Sequence, residues 1–116
     1  MKDAVVFIAA ALESIDLINS YTEGYQRDDF LADRKTQDAV IRNLEIIGQT
    51  LKDYGVEILT KENPDIPWVQ IAGMRNVLAH EYLGVDAVLI WETLLNHLNP
   101  LQQALEEIHR KCDRGA

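Results

Sequence analysis

A single cysteine, Cys112, stands in 116 residues, so no intrachain disulfide can staple the fold. That fits a reducing compartment, and no cysteine pair offers a structural zinc site. No apolar run is long enough to cross a membrane. The N-terminal AVVFIAAAL stretch resembles a signal-peptide core, but Glu13 and Asp16 follow at once and the apolar spacing carries on to Ile18, so it reads as a helix. Cationic side chains are scarce: 11 Lys and Arg face 19 Asp and Glu, a net charge of −8. Phosphate attraction dominates non-specific affinity for nucleic acid. A domain this acidic does not coat DNA or RNA, and any contact with them is local, brief or assisted by a partner. The same balance fits plain solubility or a basic partner. Repeats, linkers, low-complexity segments and β-type alternation are all missing, as are a phosphate loop and a dinucleotide glycine pattern.

What is present fits one helical domain, read as residues 1–116. A chain of this length builds a core without staples, and 47% hydrophobic with 26% charged residues is ordinary for a globular protein. Val5, Ile8, Leu12, Ile15 and Ile18 fall at three- and four-residue steps and predict a first helix from about Asp3 to Tyr21, with Gly24 as its stop. Arg27 to Lys35 is a mixed-charge connector around Phe30 and Leu31 with some helical character. Val40, Leu44, Ile47 and Leu51 form the core stripe of a second helix from Thr36 to Tyr54. Gly48 within it marks a close helix approach, and Gly55 ends it. Glu57 to Ile66, containing Asn63-Pro64-Asp65, reads as a connection. Pro67 opens a third helix that ends at Gly84. Asp86 caps a fourth helix, which carries Trp91, Leu94, Leu98, Leu101, Leu105 and Ile108 and should kink near Asn96 because of Pro100. The expected fold is all-α, an up-and-down bundle of four main helices with room for a short fifth.

The chemistry gathers in Trp68 to Asp86, where Arg75, Asn76, His80, Glu81 and Tyr82 sit among small and apolar residues. At 100° per residue, Trp68, Ile71, Leu78 and Ala79 point one way while Met74 and Val77 point the other. A helix apolar nearly all round is buried on more than one side, and polar groups inside it are costly unless paired. Arg75, Asn76 and His80 therefore either satisfy structural partners or line a site. Arg75 and His80 stand about 140° apart on a straight helix, so they do not readily clasp each other. His80 shares a face with Asn76, and Arg75 with Tyr82. These are two half-sites, closed by distortion of the helix end or by a second protomer. Spacing alone favours the blander alternative, in which Arg75 pairs with a carboxylate and His80 caps a helix carbonyl.

Other motifs fail. Glu106-x-x-His109 has the spacing of one half of a di-iron site, but a single copy lying off the leucine stripe reads as a solvated face. His80-Glu81 lacks a second histidine at zinc-protease spacing. Arginine with histidine and no metal motif suits phosphodiester cleavage. The histidine moves a proton at neutral pH, the arginine holds charge building on phosphate oxygens, and RNA brings its own nucleophile, the 2′-hydroxyl.

At these residues the chain resembles a known family. Arg75-Asn76-Val-Leu-Ala-His80-Glu-Tyr82 is similar to the Arg-x4-6-His motif of the HEPN superfamily, and within it to the HepT-like toxin branch. The likeness extends over Thr36-Gln-Asp-Ala-Val-Ile-Arg-Asn-Leu-Glu-Ile-Ile-Gly48, Ile66-Pro-Trp-x-x-Ile-x-Gly-Met-Arg-Asn76, Tyr82-Leu-Gly-Val-Asp86, Trp91 and Asn99-Pro-Leu101. The resemblance implies a helical-bundle homodimer whose two motifs face each other across one cleft. It implies a cytoplasmic, cofactor-free and metal-independent endoribonuclease toxin with Arg75 and His80 catalytic, Asn76 assisting, and products ending in 2′,3′-cyclic phosphate. It further implies a minimal nucleotidyltransferase antitoxin that transfers AMP onto Tyr82, blocking RNA phosphate by charge and bulk. Arg42 and Glu45 on the second helix are placed either at the cleft or in a structural ion pair. Two rival readings are a non-catalytic HEPN module that holds a nucleotide, favoured by the acidity, and a purely structural dimer or adaptor.

Overall fold

Six helices succeed one another in a computed structural model of the chain, which describes the backbone of residues 2–80 and 86–114 and the side chains of 5–74 and 86–112. They are α1 (Lys2–Tyr21), α2 (Arg27–Leu31), α3 (Arg34–Tyr54), α4 (Val56–Glu62), α5 (Trp68–His80) and α6 (Ala87–Arg114). No strand occurs among the described residues. The all-α expectation holds.

The apolar periodicity decides which faces meet. α1 buries Ile8, Ala11, Ile15 and Ile18, α3 buries Val40, Leu44, Ile47 and Leu51, and α6 buries Ile90, Trp91, Leu94, Leu98, Leu101, Leu105 and Ile108. Each fully buried Ile or Leu contributes about 1.5–3 kcal/mol relative to exposure. α3 is the hub: α1 and α5 both lie against it, while α6 packs on α1. The short helices close the ends, α2 against α3 and α6, α4 against α3 and α5. Phe30 of α2 is fully buried and its ring lies 5.3 Å from that of Trp91, which ties α2 to α6. Buried Asn43 is satisfied within its own helix, its Nδ2 donating to the Ala39 carbonyl at 2.9 Å.

Two expectations need correcting. The stretch read as a connection, Glu57 to Ile66, contains α4 across Val56–Glu62. Gly55, at φ +121°, turns the chain sharply after α3, and Leu59 is then fully buried. One inward leucine against two helices suffices for two turns, and the Asn63-Pro64-Asp65 turn signal governs only the short link between α4 and α5. There are thus two short helices among the described residues, α2 and α4, not one. The second long helix also starts at Arg34, two residues before Thr36, because Asp33 caps it: its Oδ1 accepts from the Thr36 N–H at 3.1 Å.

Asp86 caps α6 as its sequence position implied, Oδ1 accepting from the N–H groups of Val88 and Leu89 at 3.0 and 3.2 Å. α6 continues as helix through Pro100, so the expected disturbance near Asn96 does not interrupt it. Both residues are exposed, where water can serve the carbonyl that proline leaves without a donor. The expected stop at Gly84 lies outside the described residues. Among the described residues no helix is long and apolar enough to cross a membrane.

Candidate active site

α5 carries the chemistry, and Trp68 fixes where it starts. The indole is only 1% exposed, and its Nε1 donates to the Asn63 carbonyl at 2.8 Å, so the one polar atom of a buried ring is satisfied. The Pro67 carbonyl accepts the first helical bond, from the N–H of Ile71 at 3.0 Å, so Pro67 flanks the helix rather than opening it. Ile71, Ala72 and Met74 are half-buried, whereas Val69, Gln70 and Gly73 are exposed, Val69 to 65%. α5 is therefore covered along one side and open along another. In helical register positions 76 and 80 fall on the same face as Val69 and Gly73, at steps of three and four.

The backbone of Arg75, Asn76 and His80 is helical, and their side chains lie outside the described residues. Tyr82 lies outside them altogether. The expected half-sites thus stay a matter of register.

Arg42 and Glu45 are placed fully. With Ile46, Gln49 and Thr50 they line a groove of about 440 Å³ along α3. These positions succeed one another at three- and four-residue steps on the side of α3 away from Val40, Leu44, Ile47 and Leu51. Arg42 is exposed, while Glu45, Ile46, Gln49 and Thr50 are half-buried. Arg34 with Asp38 and Arg110 with Glu107 form ion pairs elsewhere among the described residues. Among the described residues Arg42 and Glu45 make neither a salt bridge nor a hydrogen bond, which removes the structural ion pair as their explanation there. Gln49 donates one of its two amide hydrogens to the Asp53 carboxylate at 2.9 Å and keeps a second N–H and its carbonyl oxygen. Thr50 donates to the Ile47 carbonyl at 2.9 Å and keeps acceptor capacity.

Sequence reasoning missed Ile46, Gln49 and Thr50. The available signal was spacing, since 46 and 50 succeed Arg42 and 49 succeeds Glu45 at four-residue steps. Among the described residues no group of three His, Cys, Asp or Glu side chains could hold a metal ion. Cys112 is a half-buried free thiol close to Tyr54. Burial, with the Glu62 carboxylate next in effect, pushes the Tyr54 phenol up to about 12.

Known proteins place this fold in context. The profile of a family described as ribonuclease HepT-like matches residues 11–108. A protein of Methanocaldococcus jannaschii, named as a gamma-glutamylcyclotransferase and candidate RNase, is 39% identical over 114 residues, which is 98% of this chain and 51% of that protein. This chain spans about half the length of that relative. A protein of Thermococcus cleftensis named probable ribonuclease HepT is 40% identical over 98 residues, 84% of this chain and 88% of its own length. A candidate RNase of Caldanaerobacter subterraneus subsp. tengcongensis is 35% identical over 111 residues, 96% of this chain and 98% of its own. No solved structure matches the chain at a significant level. With the profile spanning most of its length, the chain belongs to the ribonuclease HepT-like family of the HEPN superfamily.

Proposed function

We propose that this chain is the toxin of a toxin–antitoxin pair, a metal-independent endoribonuclease that acts as a homodimer through a site built from Arg75, Asn76 and His80. One observation carries the reading: the family match covers the whole of α5, and the Arg75 to His80 positions lie on a helix with an open side. The substrate's 2′-hydroxyl attacks the adjacent phosphorus as His80 takes its proton. Arg75 holds the negative charge that builds on the non-bridging oxygens. Asn76 positions the phosphate or the imidazole. The P–O bond to the 5′-oxygen breaks, water gives that oxygen its proton, and His80 releases the proton it took up to solvent. The products are a 2′,3′-cyclic phosphate and a 5′-hydroxyl end, so atoms and protons balance without a protein nucleophile.

Regulation acts at the same site. A minimal nucleotidyltransferase antitoxin transfers AMP to the Tyr82 hydroxyl, and the added negative charge repels substrate phosphate. A second reading, a non-catalytic nucleotide-holding or adaptor module, is favoured only by the net charge of −8. The test is cleavage of a mixed RNA pool in the presence of chelator, by wild type and His80→Ala, after mass spectrometry shows Tyr82 unmodified. Cleavage with cyclic phosphate ends by wild type alone supports the ribonuclease. An unmodified, folded dimer that leaves the pool intact sends the function to the nucleotide-holding module.

A further inference from the structure

Resting on that ribonuclease reading, we propose that the groove on α3 is a base-reading subsite for a guanine of the RNA substrate, with Glu45 as the residue that sets the preference. The groove is the right size, since clefts that hold small ligands span roughly 300–1,000 Å³ and this one is about 440 Å³. Its position is right as well. α3 and α5 pack against each other, with the short α4 between them in the chain. Arg42 and Glu45, near the middle of α3, therefore lie on the helix against which α5, with positions 75 to 80 in its last half, is packed.

The free groups then select the base. Glu45 offers a carboxylate, which only accepts, and it has no partner among the described residues. Thr50 has its one donor occupied and Gln49 one of its two, and both also present acceptors. A base that fits must bring donors. Guanine alone among the four presents two adjacent N–H donors on its pairing edge, N1–H and N2–H, matched to the two oxygens of one carboxylate. Beside them its O6 accepts, and Arg42 is the cation placed to donate there. Ile46 gives the groove an apolar patch for the face of the ring. This placement also answers the acidity. A molecule of net charge −8 gains little from general phosphate attraction, so hydrogen bonds to one unstacked base supply local affinity that the rest of the surface does not.

The experiment measures binding of short RNAs by wild-type protein, read by fluorescence polarisation. Every nucleotide is 2′-O-methylated, which removes the nucleophile and separates binding from cleavage. One position carries guanosine, adenosine or inosine, the last lacking only the 2-amino group. Guanosine is expected to bind about tenfold or more tightly than either of the others, the range for a bidentate base contact. Glu45→Gln, which sets amide hydrogens against base hydrogens, is expected to erase that difference. Equal affinity for the three RNAs in wild type overturns the subsite, as does a guanosine preference that survives in Glu45→Gln. Loss of the dimer in Glu45→Gln or Arg42→Ala, seen by light scattering, also overturns it, by assigning the groove to a second copy of the chain. Guanosine preference in a protein that never cleaves supports the subsite and refutes the ribonuclease. Cleavage with no base preference refutes the subsite alone.

Discussion

Asp33 takes three hydrogen bonds at the start of α3, from the Thr36 N–H, the Thr36 hydroxyl at 2.7 Å and the Tyr25 phenol at 2.5 Å. The Thr36 hydroxyl and then Tyr25 are the main causes that hold its carboxyl down at about 2. A depressed carboxylate adds stability that is fully present above its unfolded value near 4 and is lost as pH falls from there through about 2. Thermal unfolding of wild type and Asp33→Asn should therefore differ most above pH 5 and converge near pH 2. A gap that stays constant across that range would show that the cap does not depend on its charge. Trp68 makes a second prediction at this scale. Trp68→Phe keeps most of the buried ring but leaves the Asn63 carbonyl only the long bond from the Ile66 N–H at 3.5 Å, and should cost about 0.5–1.5 kcal/mol in urea unfolding. Trp68→Ala should cost about 3–5 kcal/mol. Neither the Asp33 cap nor the Trp68 bond was legible in the sequence. Tyr25 reaches Asp33 across eight residues and Trp68 reaches back to a turn carbonyl, and both contacts exist only once the helices have packed.

At the scale of elements, long helices were legible and short ones were not. Val40, Leu44, Ile47 and Leu51 in α3, and the leucine run in α6, repeat often enough for the helical period to stand out, and all are buried. α2 and α4 have five and seven residues, and each buries a single large side chain, Phe30 or Leu59, which is no period at all. α5 sits between these cases, because its apolar residues on both sides blur the face it buries. Its exposed Gly73 supplies a prediction: a Cβ added there would meet nothing within 4 Å. Gly73→Ala should raise the stability of the chain by up to about 1 kcal/mol through helix propensity alone. A lowered melting temperature would mean that this face of α5 is covered, and would contradict its being open. The groove on α3 was legible only through Arg42 and Glu45. A solvated helix face and the floor of a groove share one pattern of polar residues, and only the half-burial of Glu45, Ile46, Gln49 and Thr50 separates them.

For the whole molecule, charge and symmetry decide how RNA can be handled. With a net charge of −8, few phosphates can be engaged at once. The logarithm of RNA affinity should fall with the logarithm of salt concentration at a slope of only about −1 to −2, since each phosphate contact on a single strand contributes about −0.7. A slope several times steeper would reveal a basic surface that the composition does not suggest. The Arg75 and His80 positions, about 140° apart on one helix, come together in one site in the proposed homodimer when a second copy supplies the other half. The most direct measurement mixes Arg75→Ala with His80→Ala after unfolding and refolding the two together, and tracks RNA cleavage. Each variant alone should be inactive. The mixture should recover about a quarter of wild-type activity, because random pairing makes half of the dimers mixed and each of these holds one intact site of two. Cleavage by either variant alone, or no recovery in a mixture shown to contain mixed dimers, would contradict a site shared between two copies.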